Sequence, residues 1–337
     1  MAAFTWRSSR CASAFVIAAA CGGPHGTHAA KKQSPRPGWG ARVALAIDVH
    51  AQKPLADFPV PIRITPDRFD LKRIAADGHD LRFTSAGVDL PFEVESLTPS
   101  HGALVWLRVP SLGAEPARLE MYFDNPSAPY LAESEVRTVW RAGFAGVFHC
   151  VEDGVDASPG RAATGVTGTN PAEGVFGEAF YFATKKLDAL TATLAPAAGD
   201  RTLCAWVHPD SIDGVARIAG MTGFALDRDR GGLKCNDASA PNALAVDTWR
   251  YACCVHHAGF DALFVDGVAA GRPGKSSDKA PAAAFEVGGR HEDPPAKRFA
   301  GVIDEVRMSS VARDPAWLAA EAAAKGNVVT FGAIENL

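Results

Sequence analysis

The chain has 337 residues, enough for two domains of about 150 residues each. Its hydrophobic fraction of 47%, charged fraction of 21% and formal net charge of -4 are those of an ordinary globular protein, which excludes a disordered or a membrane-spanning chain. No basic excess points to nucleic acid. The 32 glycines and 23 prolines favour short strands joined by turns over a helical architecture.

Residues 1–21 have the pattern of a secretory signal peptide. Arg7 and Arg10 supply a positive region, and residues 12–20 form an apolar stretch that is too short to span a bilayer. The stretch ends in Ala-Ala-Ala-Cys-Gly, which resembles a lipoprotein signal in which Cys21 is lipidated and becomes the mature N-terminus. Ordinary cleavage after a small residue such as Ala29 is the alternative, because no leucine stands three positions before Cys21.

Residues 22–38 are rich in Gly, Pro, Ser, Lys and His and show no apolar periodicity, so we expect a flexible tether in front of the folded part. Past the signal, no segment is apolar for long enough to form a transmembrane helix. The sequence therefore predicts an exported protein, either periplasmic or a lipoprotein of the outer membrane or cell surface.

A first domain of short strands is predicted over residues 39–130. Apolar or alternating segments bounded by turn residues predict strands at 43–49, 59–64, 81–84, 90–95, 103–109 and 118–123. The separators hold Gly, Pro, Asp and Ser, which favour the dihedral angles of turns. Because no helical segment lies between these strands, a small β-sandwich is expected in place of a parallel sheet.

Residues 140–335 continue this pattern and predict one larger two-sheet sandwich. Strand-like segments lie at 144–150, 179–182, 202–208, 216–221, 224–227, 250–256, 262–265, 285–288 and 299–308. One short helix stands near the end, with Asp314 as its N-cap, Pro315 at its first position and Gly326 as its stop. A last strand at 328–331 closes this domain. We expect two separately stable sandwiches joined by a polar linker near residues 126–135.

Five cysteines follow the signal, namely Cys150, Cys204, Cys235, Cys253 and Cys254. An odd number cannot all pair, and their spacing shows no disulfide framework. Cys204 and Cys253 lie inside strand-like segments, where a thiol behaves as a small buried hydrophobe. Buried thiols are therefore expected. The alternative is that one disulfide forms in an oxidising compartment.

Four ordered motifs in the first domain resemble the bacterial domain of unknown function called DUF2341. They are the segments DGHDLRFT at 77–84, LPFEVE at 90–95, VWLRVP at 105–110 and MYFDNP at 121–126. The resemblance covers residues 39–130. This chain departs from the usual pattern where Phe123 and Asp124 replace the commoner Tyr-Gly before Asn-Pro.

The second domain resembles the laminin-G-like (LamG), concanavalin A-like jelly roll. The similar segments are GEAFYF at 177–182, AWVHP at 205–209, DTWRYA at 247–252, FVDG at 264–267 and FAGVIDEVRM at 299–308. The resemblance implies a β-sandwich used in carbohydrate or protein recognition, often with a structural calcium ion. In the same family context the two domains accompany proton-channel components of the TolQ/ExbB type, which implies such a membrane complex as a partner.

A glycoside hydrolase acting on polysaccharide is the alternative, because the concanavalin A-like fold also contains such enzymes. Those resembling laminarinases carry Glu-x-Asp-x-x-Glu or Glu-x-Asp-x-Glu on a strand, where alternate residues share a face and place two carboxylates across the scissile bond. This chain has no such run. Glu93 and Glu95 share a face but lie in the first domain without a third acid.

Asp304 and Glu305 lie on a strand predicted at 302–308. Because they are adjacent, we expect them on opposite faces, with Ile303 on the face of Glu305 and with valines on the face of Asp304. If Ile303 points into the core, Asp304 points outward or to the rim. In the opposite phase Asp304 is half-buried and needs a polar partner. Either way, the two carboxylates are expected to serve binding or structure.

Calcium is the ion that the acidic residues favour. Asp153 and Asp156, together with Asp304 and Glu305, offer hard oxygen ligands at positions that the laminin-G resemblance associates with a site at the sandwich rim. The predicted metal ligands are Asp156, Asp304 and Glu305. The alternative is that Asp304 pairs with Arg307 or caps a turn.

Other motifs of catalysis are missing from the sequence. The segment GRPGKS at 271–276 ends like a phosphate-binding loop, but Ala269 stands at its first glycine position and no helix is predicted after it, so a solvated loop is expected. There is no His-Glu-x-x-His, paired Cys-x-x-Cys or Gly-x-Ser-x-Gly. Trp106, Trp206 and Trp249 lie in or beside strands, where a core role is favoured over stacking on a sugar.

The sequence therefore favours an all-β, non-catalytic recognition module of the cell envelope that binds a glycan or an envelope protein. The polysaccharide hydrolase is the second hypothesis. The third hypothesis is a purely structural accessory of a proton-driven envelope complex. It would explain, without any ligand, why these two domains accompany proton-channel components.

Overall fold

The structure, a computed structural model, describes residues 36–183, 188–290, 293–294 and 297–337. The predicted signal peptide, Cys21, the cleavage position at Ala29 and most of the predicted tether lie outside the described residues. The last part of that tether contacts the fold, because Arg36 pairs with Asp89 and lies over the Trp39 ring.

The described residues confirm an all-β architecture with short helices. The strands of the first domain are β1 (Ala41–Ile47), β2 (Leu55–Ile64), β3 (Arg82–Ser85), β4 (Val88–Leu90), β5 (Phe92–Thr98), β6 (Gly102–Leu112) and β7 (Ala117–Phe123). A 3₁₀ turn (Leu71–Arg73) precedes β3. The helix α1 (Glu133–Val136) and a 3₁₀ turn (Arg137–Trp140) form the connection to the second domain.

The second domain contains a longer series of strands. They are β8 (Phe144–Phe148), β9 (Thr164–Thr167), β10 (Asn170–Glu173), β11 (Glu178–Phe182), β12 (Ala189–Thr193), β13 (Arg201–Pro209), β14 (Val215–Met221), β15 (Phe224–Asp229), β16 (Gly232–Cys235), β17 (Ala238–Ala240), β18 (Arg250–His257), β19 (Phe260–Val265), β20 (Val268–Lys275), β21 (Ala284–Val287) and β22 (Gly301–Ser309). The helix α2 (Pro315–Ala323) and the strand β23 (Val329–Asn336) end the chain. Residues 271–275 therefore lie in β20, and the expected solvated loop is largely a strand.

The first domain packs a five-stranded sheet, ordered β23-β1-β7-β3-β4, against a three-stranded sheet, ordered β2-β6-β5. Apolar residues alternate along β1, so that Ala41, Val43, Leu45 and Ile47 all face the core. The central strand β6 is buried along most of its length.

The C-terminal strand lies outside the domain to which the sequence assigns it. β23 pairs antiparallel with β1, with Ala41 opposite Asn336 and Ile47 opposite Val329. β1 pairs with β7 on its other side, so β23 covers what would be an unpaired sheet edge. The chain therefore runs through the first domain, builds the second and returns to complete the first.

The second domain is a two-sheet jelly roll, as expected. We call β10-β11-β22-β13-β18-β19-β20, with β8 beside β22, the front sheet, and β17-β16-β15-β14-β21-β12-β9 the back sheet. The two join where β17 pairs with β20 at Ser239 and Arg272. Inward residues of β13 in the front sheet and of β21 in the back sheet share one apolar core, including Leu203, Val207 and Phe285.

The outer face of the front sheet is also covered. Its apolar side chains join the core cluster of the first domain and include Cys204, Trp206, Tyr251, Cys253, Val255 and Phe264. Phe58 of the first domain contacts Trp317 of α2 with ring centroids 4.8 Å apart. The sequence predicts two separately stable sandwiches, but one continuous apolar cluster crosses from one to the other.

Helix α2 begins as predicted. The Asp314 carboxylate accepts hydrogen bonds from the backbone N–H groups of Ala316 and Trp317, and Pro315 occupies the first turn. Trp317 and Leu318 are buried, so the helix packs between the front sheet and the first domain.

Two disulfides are present, where the sequence leads us to expect buried thiols. Cys204 pairs with Cys253, its direct neighbour across β13 and β18, and Cys235 of the back sheet pairs with Cys254. Because Cys253 and Cys254 are adjacent on one strand, they point to opposite faces. One bond therefore lies on the outer face of the front sheet, and the other crosses the core. Cys150 is a buried free thiol.

Candidate functional site

A β-bulge in β22 places Asp304 and Glu305 on the same face. β22 has one extra residue at this point, because Cys204 pairs with Arg307 and Trp206 with Asp304, so that two residues of β22 stand opposite Ala205 of β13. Glu305 has φ of 49°, the left-handed conformation that accompanies many bulges. Ile303 and Val306 then point into the core. The expectation that Ile303 shares a face with Glu305 is wrong, because the extra residue breaks the alternation.

Glu305 belongs to a set of charged side chains at the domain interface, which we call the interface cluster: Glu93, Glu95, His149, Glu305, Arg307 and Glu321. His149 Nδ1 lies 2.6 Å from Glu305 Oε1 and 3.4 Å from Glu95 Oε2. Its Nε2 lies 3.6 Å from Glu93 Oε2. Glu93 and Glu95 come from β5 of the first domain, while His149 and Glu305 come from the second.

Arg307 supplies the guanidinium group that pairs with two glutamates of this cluster. Its Nη2 donates to Glu305 Oε2 at 2.7 Å, and its Nη1 donates to Glu321 Oε1 at 3.1 Å. The guanidinium carbon lies 4.5 Å from the Trp106 ring centroid and 4.9 Å from that of Trp140. Planar contacts of this kind favour arginine over lysine.

The two tryptophans also bind the acids directly. Trp106 Nε1 donates to Glu95 Oε2 at 2.6 Å, and Trp140 Nε1 donates to Glu93 Oε2 at 2.5 Å. Both indoles are buried, as predicted for Trp106. The first domain thus supplies two carboxylates whose positions are fixed by indole N–H groups.

Burial sets the protonation of the cluster. It raises the pKa of Glu95 to about 8, against the opposing effect of His149. Burial disfavours the imidazolium, but Glu305 and Glu95 outweigh it and raise the pKa of His149 well above its usual range. For Glu305 burial is likewise outweighed, by His149 and Arg307, and its pKa is lowered.

The interface cluster has no access for a polymer. The side chains of Glu95 and Glu305 are each 1% exposed. A hydrolase must place its carboxylates on both sides of a bound sugar, and here packed side chains fill that space. The three glutamates therefore do not form an accessible glycosidase site. The sequence does not show a third acid beside Glu93 and Glu95, because that acid, Glu305, comes from the other domain.

Each of the three predicted calcium ligands has partners within the protein. Asp156 accepts hydrogen bonds from the backbone N–H groups of Val147, Ser158 and Ala162, and one from the Ser158 hydroxyl. Its oxygens are thereby committed to holding a turn. Asp153 is exposed.

Asp304 has partners of its own. Its Oδ2 accepts from the N–H groups of Val175 and Phe176 at 2.7 and 2.9 Å. Burial, and then the charge of Glu305, raise its pKa well above the usual range. No hydrogen bond joins Asp156, Asp304 and Glu305 to one another among the described residues, and calcium binding stays a prediction.

A second group of side chains is accessible. Tyr181 of β11, Val302 of β22 and His208 of β13 are direct cross-strand neighbours. Phe180 and Phe182 point into the core, so Tyr181 points outward between them. A row of side chains thus crosses the margin of the outer face that the first domain leaves uncovered.

Trp249 extends this row beside His208, with ring centroids 5.2 Å apart. Tyr181 donates its hydroxyl to Asp210 Oδ2 at 2.7 Å. Donor atoms of His208, Asp210 and Asp247 lie within 4.8 Å of one another, and both aspartates are exposed. We call Tyr181, His208, Asp210, Asp247 and Trp249 the rim cluster.

The sequence does not reveal the rim cluster. It predicts a core role for Trp249, which is half-buried, packs against the core cluster and also lies beside His208. The alternation of the segment around Phe180 was enough to put Tyr181 outside. What the sequence lacks is the strand order, which makes Tyr181, His208 and Trp249 neighbours although they are far apart along the chain.

An open cleft of about 920 Å³ also lies between the domains. Arg63, His101, Glu173 and Glu178 are among its lining residues. No Phe, Tyr or Trp of the described chain lines it. The rim cluster is therefore the better-equipped surface for a ligand with apolar faces.

Comparison with known families confirms both resemblances and their order. Residues 77–144 match the family described as a domain of unknown function, DUF2341. Residues 185–319 match the concanavalin A-like lectin/glucanases superfamily. No curated protein matches the sequence.

Similar solved structures include binding domains of toxins. The binding domain of Paraclostridial Mosquitocidal Protein 1 is 13% identical, with a TM-score of 0.45, over 54% of this chain and 52% of that one. The botulinum neurotoxin serotype D binding domain is 13% identical, with a TM-score of 0.43, over 53% and 50%. The chain therefore spans about half the length of these domains.

Among the described residues, neither α-helix combines the length and the apolar character that crossing a bilayer requires.

Proposed function

We propose that the protein is a non-catalytic recognition module that binds a glycan at the rim cluster. The observation that carries this proposal is the row of Tyr181, His208 and Trp249 on an uncovered sheet face, flanked by two exposed aspartates. A sugar ring has an apolar C–H face and a hydroxyl edge. Flat side chains match the first, and carboxylates accept hydrogen bonds from the second.

Burial of the other acids supports a binding role over hydrolysis. The interface cluster cannot reach a polysaccharide, and Asp304 is fully buried. The alternative glycoside hydrolase would have to act with Asp210 and Asp247 at the rim. An envelope protein is the other class of ligand open to this surface.

The test is a glycan array followed by calorimetry with the oligosaccharide that binds, using β-glucan, chitin and peptidoglycan fragments as probes. Trp249→Ala and Asp210→Asn should each weaken binding at least about tenfold, since each removes a contact worth more than 1 kcal/mol. Phe260→Ala is the matched control, because this ring is 40% exposed on β19, away from the rim.

Equal affinity of the parent and the Trp249→Ala variant would place the ligand elsewhere. Release of reducing sugars by the parent, abolished in an Asp210→Asn/Asp247→Asn variant, would establish the hydrolase instead.

Export forms part of this proposal. Two disulfides are stable in oxidising compartments and are rare in the cytosol. A periplasmic or cell-surface location agrees with the predicted signal peptide and with Cys21 as a lipidation site. A TolQ/ExbB-type partner is implied by the resemblance alone and stays a prediction.

A further inference from the structure

We propose that Glu95, His149 and Glu305 form a site for a divalent transition-metal ion that ties the two domains together. Glu95 belongs to the first domain, and the other two ligands belong to the second. The ligand atoms all lie within 4.8 Å of one another. One imidazole with two carboxylates suits Zn²⁺ and its neighbours in the first transition row, whereas calcium prefers oxygen ligands alone.

The distances are close to those that such a site needs. Ligand atoms at 2.0–2.2 Å from a tetrahedral zinc ion stand about 3.4 Å apart. His149 Nδ1 lies 3.4 Å from Glu95 Oε2 and 2.6 Å from Glu305 Oε1. For a metal ion to enter, His149 Nδ1 and Glu305 Oε1 must therefore move apart by less than about 1 Å.

Supporting residues already hold the ligands in place. A metal-bound histidine usually donates its second ring N–H to a carboxylate. His149 Nε2 faces Glu93 Oε2 at 3.6 Å. The Trp106 indole donates to Glu95, and Arg307 donates to Glu305. Each ligand thus has an outer partner.

An unpartnered atom is the independent observation. Within the described chain, Glu95 Oε1 is buried and accepts no hydrogen bond. A buried carboxylate oxygen without a partner is costly. A metal ion bound by both oxygens of Glu95 removes this cost.

The surplus of carboxylates also favours a cation. The acidic side chains in and around the site are Glu93, Glu95, Asp304, Glu305 and Glu321, and the guanidinium groups that face them are Arg63, Arg307 and Arg313. Burial raises the pKa of Asp304 and favours its neutral form, which leaves four carboxylates against three guanidinium groups when His149 is neutral. Protons on His149 and Glu95 are the competing way to neutralise these carboxylates, and metal binding would release protons.

Because the site is closed, loading should be tested during refolding. The full chain, with its disulfides intact, is unfolded in denaturant with EDTA, refolded with Zn²⁺ or with EDTA, and desalted. Elemental analysis should find one zinc per chain and a higher Tm after refolding with zinc. Refolding with Co²⁺ should give visible absorption bands and quench the fluorescence of the nearby Trp106 and Trp140.

Variants assign the metal to its site. Glu95→Gln keeps the shape of the side chain and should abolish stoichiometric zinc, while Glu93→Gln should weaken zinc about 10–100-fold. The matched control is His208→Gln/Asp247→Asn, which removes donors of the rim cluster and should leave zinc retention unchanged. Near-UV circular dichroism checks that each variant is folded, and His149→Gln replaces Glu95→Gln if the latter fails to fold.

Retention of no more zinc by the parent than by a folded Glu95→Gln variant would overturn the proposal and leave protons as the neutralising species. Loss of zinc only in the rim variant would overturn it as well. Glycan binding by a zinc-free protein would leave the proposed function intact, so the two failures are distinguishable.

Discussion

Glu305 is held in a left-handed backbone conformation that is costly for a residue with a Cβ atom. Its carboxylate is held by His149 on one oxygen and by Arg307 on the other. Those charge-assisted bonds offset the strain. The residue therefore depends on two charged partners from its own domain, His149 and Arg307.

Replacing Arg307 tests this dependence. Arg307→Met leaves Glu305 and Glu321 buried without their cation, and we expect a loss of about 3–5 kcal/mol in the free energy of unfolding. Urea unfolding of the oxidised protein measures it. Arg272→Met, at an exposed position of β20, should change stability by less than about 0.5 kcal/mol. A loss below about 1 kcal/mol for Arg307→Met would mean that the cluster tolerates unpaired acids.

Among single residues, the sequence singles out Asp304 and Glu305 as important carboxylates, but it does not predict the bulge, because one inserted residue leaves no mark in the apolar pattern. It also offers no third acid for Glu93 and Glu95. Both omissions have the same cause: period-two alternation describes one strand, whereas bulges and partners depend on its neighbours.

At the scale of elements, the adjacent Cys253 and Cys254 make β18 a crossing point of two covalent links. Chain-entropy arguments give about 4 kcal/mol for the Cys204–Cys253 bond, whose residues are 49 apart, and about 3 kcal/mol for Cys235–Cys254, which are 19 apart. Removing either pair as a double alanine variant should lower the free energy of unfolding by these amounts.

Thermal and urea unfolding of each double variant check that expectation. The Cys150→Ala variant is the control, because this thiol forms no disulfide. Unchanged stability after reduction of the parent would contradict the prediction.

Most strands and the capped helix α2 follow from the sequence, because turn residues, alternation and an Asp-Pro start are local signals. The pairing of β23 with β1 cannot be predicted from the sequence in this way. Its short apolar segment fits any sheet edge equally well, and only the arrangement of the whole chain decides that β1 receives it.

For the molecule as a whole, the two sandwiches should unfold together. Deleting residues 328–337 removes β23 and the buried Val328 and Val329, and it exposes the edge of β1. We expect a loss of at least about 3 kcal/mol and a tendency to aggregate. Urea unfolding and light scattering measure the two effects, and removal of Leu337 alone is the control.

A stable, monomeric deletion variant would show that β23 is dispensable.

The domains of this molecule can be predicted from the sequence, but its two clusters of polar side chains cannot. The two domain resemblances are visible in its motifs, whereas the rim cluster and the interface cluster each gather residues from distant parts of the chain.

The pairing of Ala41 with Asn336 has a mechanical meaning. Anything attached before Gly40 and anything attached after Asn336 leaves the fold from the same corner, where Leu337 N–H donates to the Gly40 carbonyl. A pull between those two points separates β1 from β23 one hydrogen bond at a time. A force between the segment before Gly40 and the rim cluster would instead pass through the interface of the two domains, where one continuous apolar cluster joins them.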